Sequence, residues 1–330
     1  MAKSIRQSII NNEWHPNCIQ CQNQAMRGVQ GERKDDLDEF LLENGSVDQN
    51  FFKLKRLDLR WSNTCNLSCT YCYEYFSSKW AQIKGIKVNT IKDENENSLF
   101  LLIEKHKETI NSILMLGGEP MLQKQNSKLI EELSGRSFYI LTNFAVPLQS
   151  NKIGQQLIKE PLVKFAVSFE TVGDRYEYVR HGASWKVFVD NVDYLQETRP
   201  DLKLECHSLY SIYSAFNLVE FYKFILEKKF ENVMWHLLES SGESDSASVL
   251  NLSDDLKQQA INEIEKCELM FPNAPGIKDL SDYKLHLSKS TEHPTNKKFV
   301  DEITSVETLL SDKILKFNNL WTDVWKQLNQ

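Results

Sequence analysis

The sequence predicts an α/β fold, a partial (β/α)6 TIM-like barrel of parallel strands with a short N-terminal segment before it and helices after it. Three observations carry this. From about residue 54, short β-rich runs alternate with helical patterns, the signature of βα units in a parallel sheet. Six such units follow in series, too few for a closed eightfold ring. With 330 residues, 41% hydrophobic and 26% charged, the chain is an ordinary globular one, long enough to bury a core without staples.

The first strand is expected over Leu54–Trp61, with Leu57, Leu59 and Trp61 on one face. A cysteine-bearing loop follows, then a helix over Glu94–Ile110 with Leu99, Leu102, Ile103, His106 and Ile110 on one side. Strand two is Ser112–Leu116, running into Gly117-Gly118-Glu119-Pro120, and a helix over Leu122–Leu133 is closed by Gly135. Strand three, Phe138–Leu141, leads to Thr142-Asn143, and a short helix spans Lys152–Lys159. Strand four is Val163–Phe169. An irregular stretch is expected to Gly182, after which Ser184 caps a helix with Trp185, Phe188, Val189, Val192 and Leu195 on one face. Strand five is Leu202–Leu209, its helix carries Leu218, Phe221, Tyr222, Ile225 and Leu226, and strand six is Asn232–Leu238. Ser240–Ser248 reads as a loop and Leu256, Ala260, Ile261 and Ile264 as a helix.

Three regions result: an N-terminal cysteine-pair segment over 1–53, the barrel over 54–240, and a helical extension over 241–330. Residues 272–298 read as polar and interrupted by Pro272, Pro275 and Pro294. Val300–Leu328 reads as helix, with Ile303, Val306, Leu310, Ile314, Phe317, Leu320 and Trp321 as a stripe expected to pack on the barrel.

The longest purely apolar run is Leu99–Ile103, far short of the roughly 18 residues of a membrane span. The first residues lack the apolar stretch of a signal peptide, so a cytoplasmic protein without a membrane partner is expected. Net charge is −7, with both signs interspersed and no long basic block, which argues against nucleic acid as a partner. Only 12 glycines occur, against a usual share of about 7%, so the adjacent pair Gly117-Gly118 marks a backbone requirement.

Seven cysteines, an odd number without an export signal, do not describe a disulfide framework. Cys65, Cys69 and Cys72 form C-x-x-x-C-x-x-C on the loop after strand one. Three thiolates there can hold three irons of a [4Fe–4S] cubane and leave the fourth open for chemistry. Structural zinc wants four ligands, and no fourth Cys or His lies near this loop. Cys206 and Cys267 sit at core-facing spacings and read as small buried hydrophobes.

These residues, in this order, resemble the radical S-adenosylmethionine (SAM) superfamily, over about Leu54–Glu239. The resemblance implies a [4Fe–4S] cluster on Cys65, Cys69 and Cys72, with the Tyr71 ring beside the adenine. Gly117-Gly118-Glu119-Pro120 matches the SAM-binding motif, with Glu119 toward the methionyl ammonium. Asn143, Ser168 and Glu170 match positions around the ribose, and Arg180 matches a basic residue that pairs with the methionine carboxylate. Two departures stand out: Glu170 replaces a common Asp, and Asn143-Phe144 replaces a common Asn-Gly. The implied activity is reductive cleavage of SAM to a 5′-deoxyadenosyl radical that abstracts hydrogen from a substrate, in which the protein supplies orientation and exclusion of solvent.

Trp14-His15-Pro16-Asn17-Cys18-Ile19-Gln20-Cys21, with Gly28 and Arg33, resembles part of a Twitch- or SPASM-like auxiliary-cluster segment. Such relatives carry further cysteines upstream, and none precedes Cys18 here. Cys18 and Cys21 are therefore a candidate second metal site that needs another ligand, for which His15 is one option. His207, His236 and Glu239, near the ends of strands five and six, are the candidate substrate-contacting residues. A peptide is the leading substrate class implied, with a sugar or nucleotide derivative as runner-up. An electron donor such as flavodoxin or ferredoxin is the implied partner. The rival reading is a non-catalytic cluster- or SAM-binding scaffold.

Overall fold

The computed structural model describes residues 2–11, 13–19, 22, 26, 54–87, 93–238, 245–289, 296–310 and 315–329. The chain divides into two units, Met1–Leu54 and Lys55–Gln330. In the first, helix α1 spans Ala2–Ile10, and a 3-10 turn at Pro16–Cys18 is capped by His15, whose Nδ1 accepts from Asn17 N.

In the second unit six strands form one parallel sheet in sequence order: β1 Arg56–Leu59, β2 Ser112–Met115, β3 Ser137–Thr142, β4 Val163–Ser168, β5 Leu204–Tyr210 and β6 Asn232–Leu237. Helices α2 Ser78–Lys84 and α3 Asp93–His106 precede β2, and α4 Gln125–Glu132 precedes β3. They are followed by α5 Lys152–Lys159, α6 Gly173–Val179, α7 Trp185–Thr198 and α8 Leu218–Glu227. Sequential parallel strands joined by helical crossovers are the arrangement of a partial (β/α)6 barrel.

The strands alternate as the period of two demands. Leu57, Leu59, Ile113, Met115, Phe138, Ile140, Val163, Phe165, Val167, Cys206 and Val233 are buried. The opposite face holds Asp58, Tyr139, Lys164, Glu205, His207 and His236, exposed or half-buried. The core centres on Phe169, whose ring lies 5.0 Å from Phe188 and 5.2 Å from Phe221.

Several expected elements are corrected. Leu102 is exposed and Phe100, outside the expected face, is buried, whereas Ile103 and Ile110 are buried as expected. The stretch expected to be irregular before Gly182 contains α6. The proline-interrupted region contains α10, Ile277–Lys289, which fits between Pro275 and Pro294 so that neither proline falls inside it. It follows α9, Asp254–Met270. The final stripe is divided into α11 Asn296–Leu310, α12 Phe317–Leu320 and α13 Thr322–Leu328, and Ile314 lies outside the described residues. Its packing is as expected: Phe317 stacks on Trp321 at 4.7 Å and lies 6.2 Å from Tyr178 of α6.

Candidate active site

The loop between β1 and α2 is held from both sides. On one side, Ser77 caps α2 through Trp80 N and donates to Leu67 O at 2.6 Å, while Trp80 Nε1 donates to Cys69 O at 2.9 Å. Ser78 Oγ accepts from Cys65 N at 3.0 Å. On the other side, Ser68 N and Thr70 N donate to His181 O and Val179 O, both at 2.9 Å, and Ser68 Oγ meets His181 Nδ1 at 2.8 Å. A loop whose backbone groups are satisfied by buried partners presents its side chains in a fixed arrangement.

Cys65, Cys69 and Cys72 are free thiols that line one cavity of ≈330 Å³ with Tyr71, Gly117, Gly118, Asn143, Ser168, Glu170, Arg180, His207 and His236. Burial pushes the Cys65 and Cys69 thiols up and Cys72 to about 11, while the Arg180 charge works against the rise at each. At neutral pH the thiols keep their protons, so a metal centre that binds must displace them. Cys65 Sγ already accepts from Leu67 N at 3.5 Å and from Asn143 Nδ2 at 3.8 Å, the kind of outer hydrogen bond that stabilises a ligand thiolate. Three thiols on one loop are the donor set that would hold a [4Fe–4S] cluster, which would supply one-electron chemistry there.

The glycine pair serves the loop more directly than a ligand. Gly118 N donates to Ser62 O at 3.2 Å and Glu119 N to Thr64 O at 2.7 Å, so this segment runs against the cysteine loop as a continuation of the β1–β2 ladder. A Cβ on Gly118 would meet Thr64 O at 2.3 Å, and Gly117 has φ of +120°. Glu119 is fully buried. Its carboxylate accepts from Met121 N, Thr142 Oγ1 and Asn143 N at 3.1, 2.8 and 2.8 Å, and neither it nor Pro120 lines the cavity. Glu119 therefore ties β2 to the end of β3, with Oε1 taking two donors and Oε2 one.

Arg180 is likewise engaged. It and Glu170 are 5% and 2% exposed. Arg180 Nε donates to Glu170 Oε2 at 3.0 Å and Nη2 to Oε1, while Tyr71 Oη donates to the same carboxylate at 2.8 Å. The Arg180 guanidinium also stands 5.8 Å from the centre of the Tyr71 ring. The longer Glu170 side chain, in place of Asp, reaches both partners, and residues expected at separate ends of SAM meet each other. Phe144 adopts φ of +54°, a glycine-like conformation, with its ring buried against Phe165 at 6.0 Å. Asn143 keeps its position at the cavity wall.

His207 and His236 line the cavity with ring centres 5.4 Å apart. Sequence reasoning missed Tyr139 and Glu205, which bond to each other, Tyr139 also meeting His207 Nε2. The signal was present as polar residues on the alternate positions of two strands. Glu239 and Cys21, with Gly28 and Arg33, lie outside the described residues. Cys18 is half-buried. Both His15 nitrogens are taken, Nδ1 by Asn17 N and Nε2 by Ser4 Oγ at 3.3 Å, which opposes His15 as a further ligand.

Residues 59–215 match the radical SAM superfamily. This part of the chain is a radical SAM domain. The three cysteines, the glycine pair, Glu170, Arg180 and His207 all fall within it. Solved structures similar to the chain include Streptococcus suis SuiB bound to S-adenosylmethionine, at 15% identity and TM-score 0.49, covering 83% of this chain and 59% of SuiB. SuiB bound to precursor peptide SuiA is similar at 16% identity and TM-score 0.47, covering 72% and 51%. Native anSMEcpe with bound AdoMet is similar at 17% identity and TM-score 0.49, covering 67% and 63%. The chain thus spans less than two-thirds of each of these. No described helix is long and apolar enough to cross a membrane.

Proposed function

We propose that the radical SAM domain holds a [4Fe–4S] cluster on Cys65, Cys69 and Cys72 and uses it to cleave SAM and remove hydrogen from a substrate. The observation that carries this reading is the convergence of three free thiols on one cavity that also contains the glycine segment and the Glu170–Arg180–Tyr71 set. When bound there, the cluster and SAM supply one-electron reduction of a sulfonium and a hydrogen-abstracting carbon radical. The chain contributes the rest. Asn143 and the Leu67 amide bond to a ligand thiolate, Gly117 and Gly118 form a wall without side chains, and Tyr71 and Arg180 offer a ring and a cation to the nucleoside and methionine ends. Ser168 lines the same wall at the end of β4.

A peptide is the leading substrate class, because the Trp14–Cys21 segment resembles that of peptide-modifying relatives. A flavodoxin or ferredoxin is the proposed electron source. Anaerobic reconstitution should give about four irons and four sulfides per chain, with more only if Cys18 and Cys21 also bind. Reduction in the presence of SAM should release 5′-deoxyadenosine, and Cys69→Ala should lose both cluster and cleavage. Deuterium carried into 5′-deoxyadenosine from a labelled peptide supports the peptide class, and transfer from a sugar or nucleotide derivative instead reassigns it.

The mutual engagement of Glu170 and Arg180 favours a second reading, a cluster- and SAM-binding protein that does not cleave. Calorimetric SAM binding to the reconstituted chain with no 5′-deoxyadenosine after reduction would select it.

A further inference from the structure

The sheet face opposite the helices carries a hydrogen-bonded set outside the expected cofactor contacts. Tyr139 Oη on β3 donates to Glu205 Oε2 on β5 at 2.8 Å and lies 2.8 Å from His207 Nε2. Lys164 Nζ on β4 stands 3.5 Å from the other Glu205 oxygen. The register brings them together: Tyr139 pairs with Lys164, and Ser168 with His207, on adjacent parallel strands.

Proton counting sets the direction of these bonds. A carboxylate only accepts, and a phenol has a single proton. Tyr139 spends its proton on Glu205, so the proton in the bond to His207 must come from Nε2. That leaves Nδ1 as the bare, accepting nitrogen of the ring. His207 lines the thiol cavity, whereas Tyr139 and Glu205 stand behind it. Burial and the nearby His236 ring depress the His207 pKa to about 4 against the opposing pull of Glu205, so the ring is neutral at physiological pH.

We propose that His207 Nδ1 accepts a hydrogen bond from an N–H or O–H group of the substrate in the thiol-lined cavity, with Tyr139 and Glu205 as positioning residues that set its tautomer. This rests on the reading of that cavity as the reaction chamber. It narrows the substrate to molecules that carry a donor, such as a peptide amide.

The full-length chain labelled with 15N at histidine reports ring tautomers by NMR, and His207→Gln assigns the signals. His207 is expected as a single Nε2–H tautomer. Tyr139→Phe should shift it toward a mixture of tautomers. Glu205→Gln should move it toward Nδ1–H, because the amide can donate to the phenol oxygen and free the Tyr139 proton for Nε2. In the presence of SAM, N-methylacetamide should shift the Nδ1 resonance, whereas N,N-dimethylacetamide, which lacks an N–H, should not. An Nδ1–H tautomer in the unaltered chain overturns the proposal. So does an equal response, or none, to the two amides. These readouts need no turnover, so absence of 5′-deoxyadenosine would sink the radical reading while leaving the tautomer result standing.

Discussion

At the scale of single residues, the buried Glu170–Arg180 pair decides how the cavity wall is built. Removing one member leaves the other charge buried and unpaired, which costs about 3–5 kcal/mol. Arg180→Ala and Glu170→Ala should each lower stability in urea by about that amount, and the double variant should cost clearly less than the sum. Additive losses would mean that the two do not interact. His207 gives a second test. Its pKa is pushed down to about 4 in the folded chain, against an unperturbed value of about 6.5. Between those values the unfolded chain binds the extra proton, so the stability His207 contributes is present above about pH 6.5 and falls as pH drops toward 4. Thermal melts of the unaltered chain minus those of His207→Gln should show that slope, and a flat difference would put the imidazole in water. Glu119 and Arg180 also show where residue-level reading stops. A sequence names the charges in a motif, but only distances show that Glu119 accepts hydrogen bonds from its own neighbours and that Arg180 is paired with Glu170.

At the scale of elements, the site is two loops zipped together. The residues after β2 continue the β1–β2 ladder along the cysteine loop, through Gly118 N to Ser62 O and Glu119 N to Thr64 O. Gly118→Ala drives a Cβ against Thr64 O and Asn63 O, which are backbone and cannot swing aside. Iron and sulfide incorporation should fall severely while the far-UV spectrum is retained. Full incorporation would show that the loops separate without harm. Trp80→Phe removes the donor to the buried Cys69 carbonyl and should cost about 1–3 kcal/mol by chemical denaturation, with cluster loss faster than in the unaltered chain. The glycine pair was legible in the sequence as a backbone requirement. Its partner was not, because close approach to a ligand and close approach to a neighbouring loop ask for the same absent Cβ.

At the scale of the whole molecule, the helices after β6 belong to the same unit as the barrel. Phe317 is completely buried and packs on Trp321, Phe299 and Tyr178, and the Tyr178 hydroxyl donates to Glu307 Oε1 at 3.0 Å. Phe317→Ala should cost about 3–5 kcal/mol, and the barrel and the terminal helices should still unfold in one transition. Two separated transitions would show that the helices fold as a module of their own.

The order of the strands, the three-cysteine loop and the position of the glycine pair were determined by the sequence alone, because periodicity and motif spacing are local and survive without tertiary information. Tertiary structure decided which polar groups remain available. It closed Glu119 inward, paired Arg180 with Glu170, and drew Tyr139 and Glu205 behind His207 across three strands. It also placed α6 and α10 in stretches where the apolar pattern was too short or too diluted by polar residues to read. Such pairings depend on sheet register and side-chain reach between residues 10 to 68 positions apart, and no local pattern encodes those distances.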